Sequence, residues 1–251
     1  METLEKDWLG FENVTLAYES KQVTPEPLSF SVSHPGICVL LGKNGAGKSS
    51  VLKAVLGEPV CSKGTVSLFG APARDCTRIA YVPQDPVYPA HLKMEDALAI
   101  AFLPEIGWWG KRLSEHTDRM EEAILQFGLG EMRGRRLGAL TPGERQRTFL
   151  ARALLQNPRV CLLDEPTNHL DPEARYFFWA ALQGAVSVSG TRVLVSTHDL
   201  DFARGKASWI CAFSQGRLVF HDRGSAFWNL DHIAAVFGEG PAREWIKVNH
   251  S

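Results

Sequence analysis

The chain has 251 residues, of which 45% are hydrophobic and 22% charged, a composition typical of globular proteins with a large hydrophobic core. Its net charge of −1 provides no basic surface field, so we expect no nucleic-acid partner. No apolar run approaches the length that spans a bilayer, which argues against a membrane-embedded protein.

Cysteine usage and the N-terminus favour a reducing compartment. The five cysteines are an odd number without C-x-x-C spacing, and Cys38, Cys161 and Cys211 lie in apolar runs, as small core residues do. The first residues are polar and lack the apolar segment of a signal peptide. We therefore expect a reducing cytosol.

The first predicted strand, Phe11 to Tyr18, ends in an aromatic residue that has two interpretations. Tyr18 either packs as an ordinary strand aromatic or offers a flat ring on which a purine stacks. A turn-rich connection from Glu19 to Pro27 leads to a second predicted strand, Leu28 to Val32.

A glycine-rich loop stands between an apolar strand, Ile37 to Leu41, and a predicted helix, Ser50 to Leu56. Its skeleton is G-x-x-x-x-G-K-S, the signature of a phosphate-binding loop. Glycines let successive N–H groups point at one anion, and the helix adds its positive dipole end. Lys48 can reach the outer phosphates, and the Ser49 hydroxyl can ligate Mg²⁺. The residues predicted to contact a nucleotide here are Gly42, Asn44, Gly45, Ala46, Gly47, Lys48, Ser49 and Ser50.

A loop glutamine follows the next two predicted strands, Gly64 to Gly70 and Ile79 to Val82. Pro83 ends the second strand, and Gln84 comes directly after it. Gln84 is either a solvated loop residue or an amide that ligates Mg²⁺ or holds a water beside the γ-phosphate.

From His91 to Arg136 the pattern becomes helical, with predicted helices over Glu95 to Leu103 and Glu115 to Phe127. This pattern predicts a small helical subdomain inserted in an α/β core. Trp108 and Trp109, between the two helices, either cap the core of the subdomain or form a partner surface, where tryptophan is enriched.

The next helix, predicted to run to Gln156, begins with a strong start signal. Thr141 and Glu144 have the spacing of a capping box, and Pro142 suits the first helical position. Such a start needs no function, but it also makes a second anion-binding end.

Two acids end the apolar strand Val160 to Leu163. Asp164 at the strand tip would hold Mg²⁺ through water beside Ser49, and Glu165 can polarise an attacking water. The alternative, two merely solvated acids, is weak in a chain with a phosphate loop. Asp171 follows in a loop, where it can also cap the helix that starts at Pro172.

The apolar strand Arg192 to Thr197 also has polar residues at its carboxyl end. There His198 is either an ordinary loop histidine or a contact of the γ-phosphate, since open α/β sheets bind ligands at this edge. Trp209 to Phe213 and Arg217 to His221 predict a closing hairpin, and Ser225 to Phe237 predicts a terminal helix.

In this order the motifs resemble the ATP-binding subunit of ABC transporters, over about Phe11 to Gly238. The phosphate loop resembles Walker A, Val160 to Asp164 resembles Walker B, and Tyr18 falls at the adenine-stacking position. The remaining family positions are the Q-loop glutamine (Gln84), the signature (Leu140, Thr141, Pro142, Gly143, Glu144), the catalytic glutamate (Glu165), the D-loop (Asp171) and the switch histidine (His198).

The resemblance implies an ATPase with ATP and Mg²⁺ as cofactors. It implies Lys48, Glu165 and His198 as catalytic residues, and a metal held by Ser49, Gln84 and Asp164. Two copies would dimerise head to tail, so that the signature of one covers the ATP on the Walker motifs of the other. ATP would close this homodimer and hydrolysis would reopen it.

The same resemblance implies a place for the chain in a larger assembly. The dimer motion would pass to integral-membrane permease subunits, with a substrate-binding protein as an indirect partner. The expected location is peripheral, on the cytoplasmic face of the inner (plasma) membrane.

The implied fold class is α/β. A single ABC ATPase domain would cover residues 1–251, with a P-loop NTPase core of mostly parallel sheet and an antiparallel β subdomain. The RecA-like core and β subdomain would take residues 1–84 and 146–251, and the helical subdomain with the signature residues 85–145.

The signature departs from the family pattern Leu-Ser-Gly-Gly. Thr141 keeps a hydroxyl and Gly143 keeps its N–H, but Pro142 deletes one donor, so we expect retained but slower hydrolysis. Within the family, Gly107 to Arg112 and Ile233 to Gly238 resemble the importers for iron chelates, haem or cobalamin.

Two other functions stay open. One is a non-transport ABC ATPase, such as a ribosome-associated factor, where Asn168-His169-Leu170-Asp171 also occurs. The other is an ABC subunit with weak hydrolysis, which the altered signature allows but intact Glu165 and His198 disfavour.

Overall fold

The computed structural model of the chain describes residues 7–18, 21–58, 61–106, 116–168 and 170–249. Its contacts divide it into two compact units: unit 1 is Met1–Thr77 with Arg192–Ser251, and unit 2 is Arg78–Thr191. In chain order the strands and helices are β1 (Leu9–Tyr18), β2 (Lys21–Gln22), β3 (Leu28–Val32), β4 (Ile37–Gly42), α1 (Lys48–Val55), β5 (Cys61–Leu68), β6 (Ala71–Pro72), β7 (Ile79–Val82), α2 (Met94–Ala99), α3 (Leu103–Ile106), α4 (Thr117–Gln126), α5 (Pro142–Leu155), β8 (Val160–Asp164), α6 (Pro172–Ser189), β9 (Arg192–Thr197), α7 (Leu200–Ala203), β10 (Trp209–Ser214), β11 (Arg217–Arg223), α8 (Leu230–Phe237) and α9 (Glu239–Asn249).

Unit 1 contains an antiparallel sheet built on β1, which pairs with β2, β3 and β5, while β6 extends β5. The buried side chains of β1 change parity along the strand, from Leu9 and Phe11 to Val14 and Leu16. The register shifts between Phe11 and Val14, which indicates a bulge that inserts one residue. The bulge explains why the alternation in this strand is loose in the sequence.

A second sheet in unit 1 runs in the order β11, β10, β4, β9. Strand β4 lies between β10 and β9, is parallel to both, and is buried at all six residues, which explains its uninterrupted apolar run. Strands β10 and β11 form the predicted hairpin. Its two turn residues, Gln215 and Gly216, have φ of 51° and 77°, as a two-residue hairpin turn requires.

Unit 2 contains the parallel pair β7 and β8 together with helices α2 to α6. Strand β8 is buried throughout, and the helices bury residues such as Leu98, Phe102 and Phe149. In the described parts of the chain, no helix is long and apolar enough to cross a bilayer.

The three cysteines predicted to be core residues are buried: Cys38, Cys161 and Cys211. Burial raises the pKa of the Cys161 thiol to about 12, because a thiolate would lose its solvation there. These cysteines therefore act as small apolar side chains, as the sequence predicts.

The predicted helix Glu95 to Leu103 is not one helix. Helix α2 ends at Ala99, and a 3-10 turn over Ile100–Phe102 separates it from α3. The connection predicted from Glu19 to Pro27 also contains the short strand β2.

The end of the chain differs more from the prediction. Helix α8 begins at Leu230 rather than Ser225, because the Asn229 side chain caps it by accepting from the His232 N–H at 3.0 Å. Helix α9 then follows Gly238 and was not predicted; its first turn contains Gly240 and Pro241. Proline is tolerated in the first helical turn, where its missing N–H costs little.

Candidate nucleotide-binding site

The phosphate loop of unit 1 takes its shape from its glycines. Gly45 and Gly47 have φ of 80° and 98°, in the left-handed region that favours glycine. A Cβ on Gly42 would lie 2.6 Å from the Phe213 carbonyl oxygen and 3.1 Å from the Ala46 Cβ, so a side chain does not fit there. The conformation of the loop therefore depends on these three glycines.

Lys48 lies against this loop. Its side chain is only 4% exposed, and Nζ donates to the Gly42 and Lys43 carbonyl oxygens at 2.8 and 3.1 Å. Lys48 is also the first residue of α1, whose N-cap, Gly47, has no side chain to cover the helix start. The ammonium and the helix start therefore combine positive charge with N–H groups at one place, as anion binding requires.

Tyr18 stands at the end of β1, beside α1. Its hydroxyl accepts from the Ser50 Oγ at 3.4 Å, and the Lys53 Nζ lies 5.6 Å from the ring centroid. The side chain is 39% exposed, so Tyr18 is not a core residue, and its ring remains accessible to an aromatic base.

His198 follows β9 at the carboxyl edge of the same sheet. Thr197 is paired in register with Leu41, so the exposed His198 and the first loop residue, Gly42, come directly after paired positions. Unit 1 therefore places the phosphate loop and His198 at neighbouring strand ends, which is the edge where parallel sheets bind ligands.

Unit 2 carries the other predicted site residues at the ends of β7 and β8. Val82 pairs with Leu163, so Gln84 and the two acids follow neighbouring strand ends. Asp164 and Glu165 are only 4% and 6% exposed, which contradicts the alternative of two solvated acids. Glu165 has φ of 45°, a strained conformation for a residue with a side chain, and such strain concentrates at functional sites.

The start of α5 has the predicted capping box. Thr141 Oγ1 accepts from the Glu144 N–H at 3.3 Å, and the Glu144 carboxylate accepts from the Thr141 N–H at 2.7 Å. Arg135 adds a contact of 3.3 Å to Glu144 and also donates to the Ala139 carbonyl oxygen at 2.7 Å. Pro142 is the first helical residue, as predicted.

The charge of Glu144 is favoured by these contacts. Partial burial raises the pKa of the carboxyl, but the hydrogen bond from the Thr141 N–H and the charge of Arg135 outweigh it, so the pKa is lowered. Glu144 is therefore a fixed anion that orders the helix start.

Asp171 and the start of α5 line one open groove in unit 2, with a volume of about 530 Å³. The Asp171 carboxylate accepts from the Ala174 N–H at 2.7 Å. Asp171 is therefore the N-cap of α6, the capping role that the sequence suggested. The groove residues are Thr141, Pro142, Gly143, Glu144, Arg147, Asp171 and Ala174.

Three features of these groups were not predicted: the contact of Lys53 with Tyr18, that of Arg135 with Glu144, and the strain at Glu165. None has a local sequence signal, because the two contacts join different elements and a φ angle has no composition cue. Trp108, Trp109 and the importer-like run from Gly107 to Arg112 lie outside the described residues, as does His169.

The ABC transporter family model matches residues 25–168, more than half of the chain. The chain belongs to the ABC transporter ATP-binding family. It is 36% identical over 220 residues to the Nod factor export ATP-binding protein I of Burkholderia thailandensis, with 84% of this chain and 69% of that protein covered. The protein of the same name from Sinorhizobium fredii is 32% identical over 248 residues, with 94% and 69% covered.

Solved structures agree with this assignment. An ATP-binding subunit of an ABC transporter matches with a TM-score of 0.75 and 25% identity, over 96% of this chain and 98% of that one. A chain from an ABC transporter assigned to the metal-chelate type, in an inward-facing conformation, matches with a TM-score of 0.77 over 92% and 89% of the two chains, but at 22% identity this likeness concerns the fold alone. The predicted α/β fold class and the ATPase assignment are confirmed, and the chain is an ABC transporter ATP-binding subunit.

Proposed function

We propose that this ABC ATPase forms a head-to-tail homodimer in which two composite sites bind and hydrolyse ATP to power a partner permease. The observation that carries the proposal is the open groove at the start of α5, lined by Thr141, Gly143 and Asp171. A helix start on an open groove is complementary to the phosphates that the Walker residues of a second copy would hold.

The first turn of α5 has few donors to offer that phosphate. Pro142 has no N–H, the Glu144 N–H is taken by Thr141 Oγ1, and the Arg145 N–H bonds to the Thr141 carbonyl oxygen. The Gly143 N–H and the Thr141 hydroxyl proton are what the turn directs at an anion. The signature segment therefore gives the phosphates held by the second copy fewer hydrogen-bond donors than it would with a glycine at position 142.

The Walker side of each composite site carries the chemistry. Lys48 and the loop amides stabilise charge on the outer phosphates, and Tyr18 stacks on the adenine. Glu165 polarises the attacking water, and His198 contacts the γ-phosphate at the sheet edge.

Mg²⁺ fits the residues proposed to hold it. Ser49, Gln84 and Asp164 supply a hydroxyl, an amide and a carboxylate oxygen, and Mg²⁺ binds through one or two carboxylates together with substrate phosphates. When bound, the metal neutralises charge on the phosphate oxygens. Asp164 can hold a cation because it ends the buried strand β8 and is itself almost fully buried.

The catalytic assignment of Glu165 is tested by Glu165→Gln. We expect turnover to fall by about 100-fold or more while ATP affinity changes less than about twofold, because the amide cannot act as a base. Turnover and the affinity for a fluorescent ATP analogue are the two measurements. Glu122→Gln, an exposed residue of α4, serves as the matched control. Unchanged turnover in Glu165→Gln would remove this residue from the mechanism.

The direction of transport has two candidates. The motif resemblance favours import of iron chelates, haem or cobalamin through a permease and a substrate-binding protein. Export is favoured by the names of the curated relatives, which are Nod factor export ATP-binding proteins. Import remains our proposal, because the resemblance includes the C-terminal run that forms α8.

Co-purification from detergent-solubilised membranes tests the transport role. We expect a polytopic membrane protein with this ATPase bound peripherally on the cytoplasmic face of the inner membrane. Recovery of ribosomes instead would support the non-transport alternative. Uptake by proteoliposomes that requires an added substrate-binding protein supports import, and ATP-driven loss of cargo to the opposite side supports export.

The partner surface proposed for Trp108 and Trp109 has its own test. Alanine at both positions should weaken permease binding and lower the coupled ATPase rate, because tryptophan is enriched among the residues that anchor interfaces. Unchanged permease binding would assign both side chains to the core of the helical subdomain.

A further inference from the structure

The short helix α7, which follows His198, is held in place by several side-chain contacts. Helix α7 has only four residues, too few for a helix that is stable by itself. The Asp199 N–H donates to Thr197 Oγ1 at 3.1 Å, and the Asp199 carboxylate accepts from the Phe202 N–H at 3.0 Å. His198 is thus fixed between the end of β9 and the cap of α7.

Helix α9 contacts this short helix near its start and at its end. Trp245 Nε1 donates to Asp201 Oδ1 at 2.9 Å, and the Arg204 guanidinium lies 5.1 Å from the centre of the Trp245 ring. Both terminal nitrogens of Arg204 also donate to the Asn249 carbonyl oxygen at 3.3 Å. One tryptophan therefore holds residues at the start and just past the end of α7.

The tryptophan is itself held from the other side. Trp228, just before α8, stacks on Trp245 with a centroid distance of 5.4 Å and an interplanar angle of 29°. Offset-stacked aromatic rings stabilise each other beyond the area that they bury. Trp228 therefore helps to hold Trp245 in place, and Trp245 in turn contacts α7 through its ring and its N–H.

We propose that Trp245 is a positioning residue for ATP hydrolysis, which acts by holding α7 and thereby the backbone at His198. This inference rests on the proposed role of His198 at the γ-phosphate. His198 directly precedes Asp199, the N-cap of α7, so a shift of α7 moves the backbone of His198. A loose α7 leaves the phosphate loop intact, and ATP still binds, but the histidine is no longer held for turnover.

Three variants of the full chain test the proposal by steady-state ATPase kinetics. Trp245→Ala should lower kcat about fivefold while KM for ATP changes less than about twofold, because only the transition-state contact is loosened. Trp245→Phe keeps the ring contact with Arg204 but loses the N–H, so an intermediate kcat is expected. Val248→Ala, at a position of α9 that is 72% exposed, should behave like the parent chain.

Amide hydrogen exchange reports on the backbone directly. In Trp245→Ala we expect faster exchange in peptides from residues 198–206, with unchanged exchange in peptides from residues 42–56 that cover the phosphate loop. Faster exchange over the whole chain would mean general unfolding and would overturn the positioning role. Unchanged exchange at residues 198–206 would also overturn it.

His198→Ala separates this inference from the proposed function. If His198→Ala hydrolyses ATP at the parent rate, the role of His198 is wrong and the inference built on it is overturned. If His198→Ala is nearly inactive but Trp245→Ala keeps its kcat, the function of His198 stands and only the positioning role of Trp245 is contradicted.

Discussion

The phosphate loop and the start of α5 are the two segments proposed to bind phosphate, but they are built differently. The loop relies on glycines: Gly45 and Gly47 supply the unusual φ angles, and Gly42 allows close contact with Phe213. The start of α5 relies on side chains, with Thr141 and Glu144 in a capping box. The first site is therefore fixed by the local sequence, whereas the second depends on partners elsewhere, such as Arg135.

This difference also changes what a substitution does. In the loop, a change at a glycine or at Lys48 should damage binding or catalysis, since the backbone is already suited to the phosphates. At the start of α5, Pro142 removes a donor that a different residue would restore, so a substitution there should improve the site.

Lys48→Ala should have the largest effect. The ammonium is buried against the loop carbonyls, and its loss removes the only positive side chain that the described Walker loop buries. We expect hydrolysis to fall by about 100-fold or more, as for other lost donors to transition-state charge. Lys43→Ala is the matched control, because its side chain is exposed and its carbonyl oxygen remains. Equal rates in the two variants would contradict the role of Lys48.

Tyr18→Ala should weaken ATP binding by about tenfold, because stacking of a base on an aromatic ring is worth about 1–3 kcal/mol. Tyr18→Phe keeps the ring, loses the contact with Ser50, and should bind ATP like the parent chain. Titration with a fluorescent ATP analogue measures both affinities. If Tyr18→Ala binds ATP with unchanged affinity, the tyrosine is a strand residue only.

Pro142→Gly should raise kcat several-fold. The new N–H at the first helical position adds a donor to the trans phosphate, and one hydrogen bond to a charged group is worth about 1.5–3 kcal/mol at most. Pro142→Ala, which restores the N–H with less backbone freedom, should show a similar gain. An unchanged rate in both variants would contradict the idea that the proline slows hydrolysis. A higher rate in the glycine variant alone would indicate that backbone flexibility, rather than the added N–H, causes the gain.

Arg135→Ala should have the smallest effect. Its contact with Glu144 is partly exposed, so we expect a loss of about 1 kcal/mol or less in the free energy of unfolding. The pKa of Glu144 is lowered from its ordinary value of 4.5, so its stabilising contribution is present above that value and is lost as the pH falls through the folded pKa. The difference from the parent chain should therefore be present at pH 7 and vanish in acid.

Urea unfolding at the two pH values measures this difference. Arg136→Ala, an exposed neighbour whose backbone bridge to Lys93 is kept, is the control. A difference that grows in acid would contradict the assigned contact.

The sequence predicted most of what local patterns can encode. The buried strands β4 and β8, the capping box and the hairpin at Gln215 were all visible as apolar runs, spacing and turn residues. Glycine and proline were informative where they fix a turn, whereas α9 was missed, and its proline lies in the first turn, where it does not end a helix.

What the sequence could not give are contacts between distant elements. Arg135 and Glu144, Lys53 and Tyr18, and Trp245 and Asp201 are pairs whose partners lie on different elements. Trp245 and Asp201 are 44 residues apart in the chain, and Arg135 and Glu144 only nine, but in every pair the contact depends on how the segments pack, which no spacing pattern encodes.

The central claim, a composite site made by two copies, is tested most directly by molecular mass in solution. Glu165→Gln with ATP should give a dimer by light scattering, at twice the monomer mass of 27.8 kDa. Adding Gly143→Asp should return the protein to a monomer that still binds ATP, because the new carboxylate repels the trans phosphate while an acid is tolerated in the first helical turn. A Glu165→Gln protein that stays monomeric with ATP, or a double variant that still dimerises, would contradict the composite site.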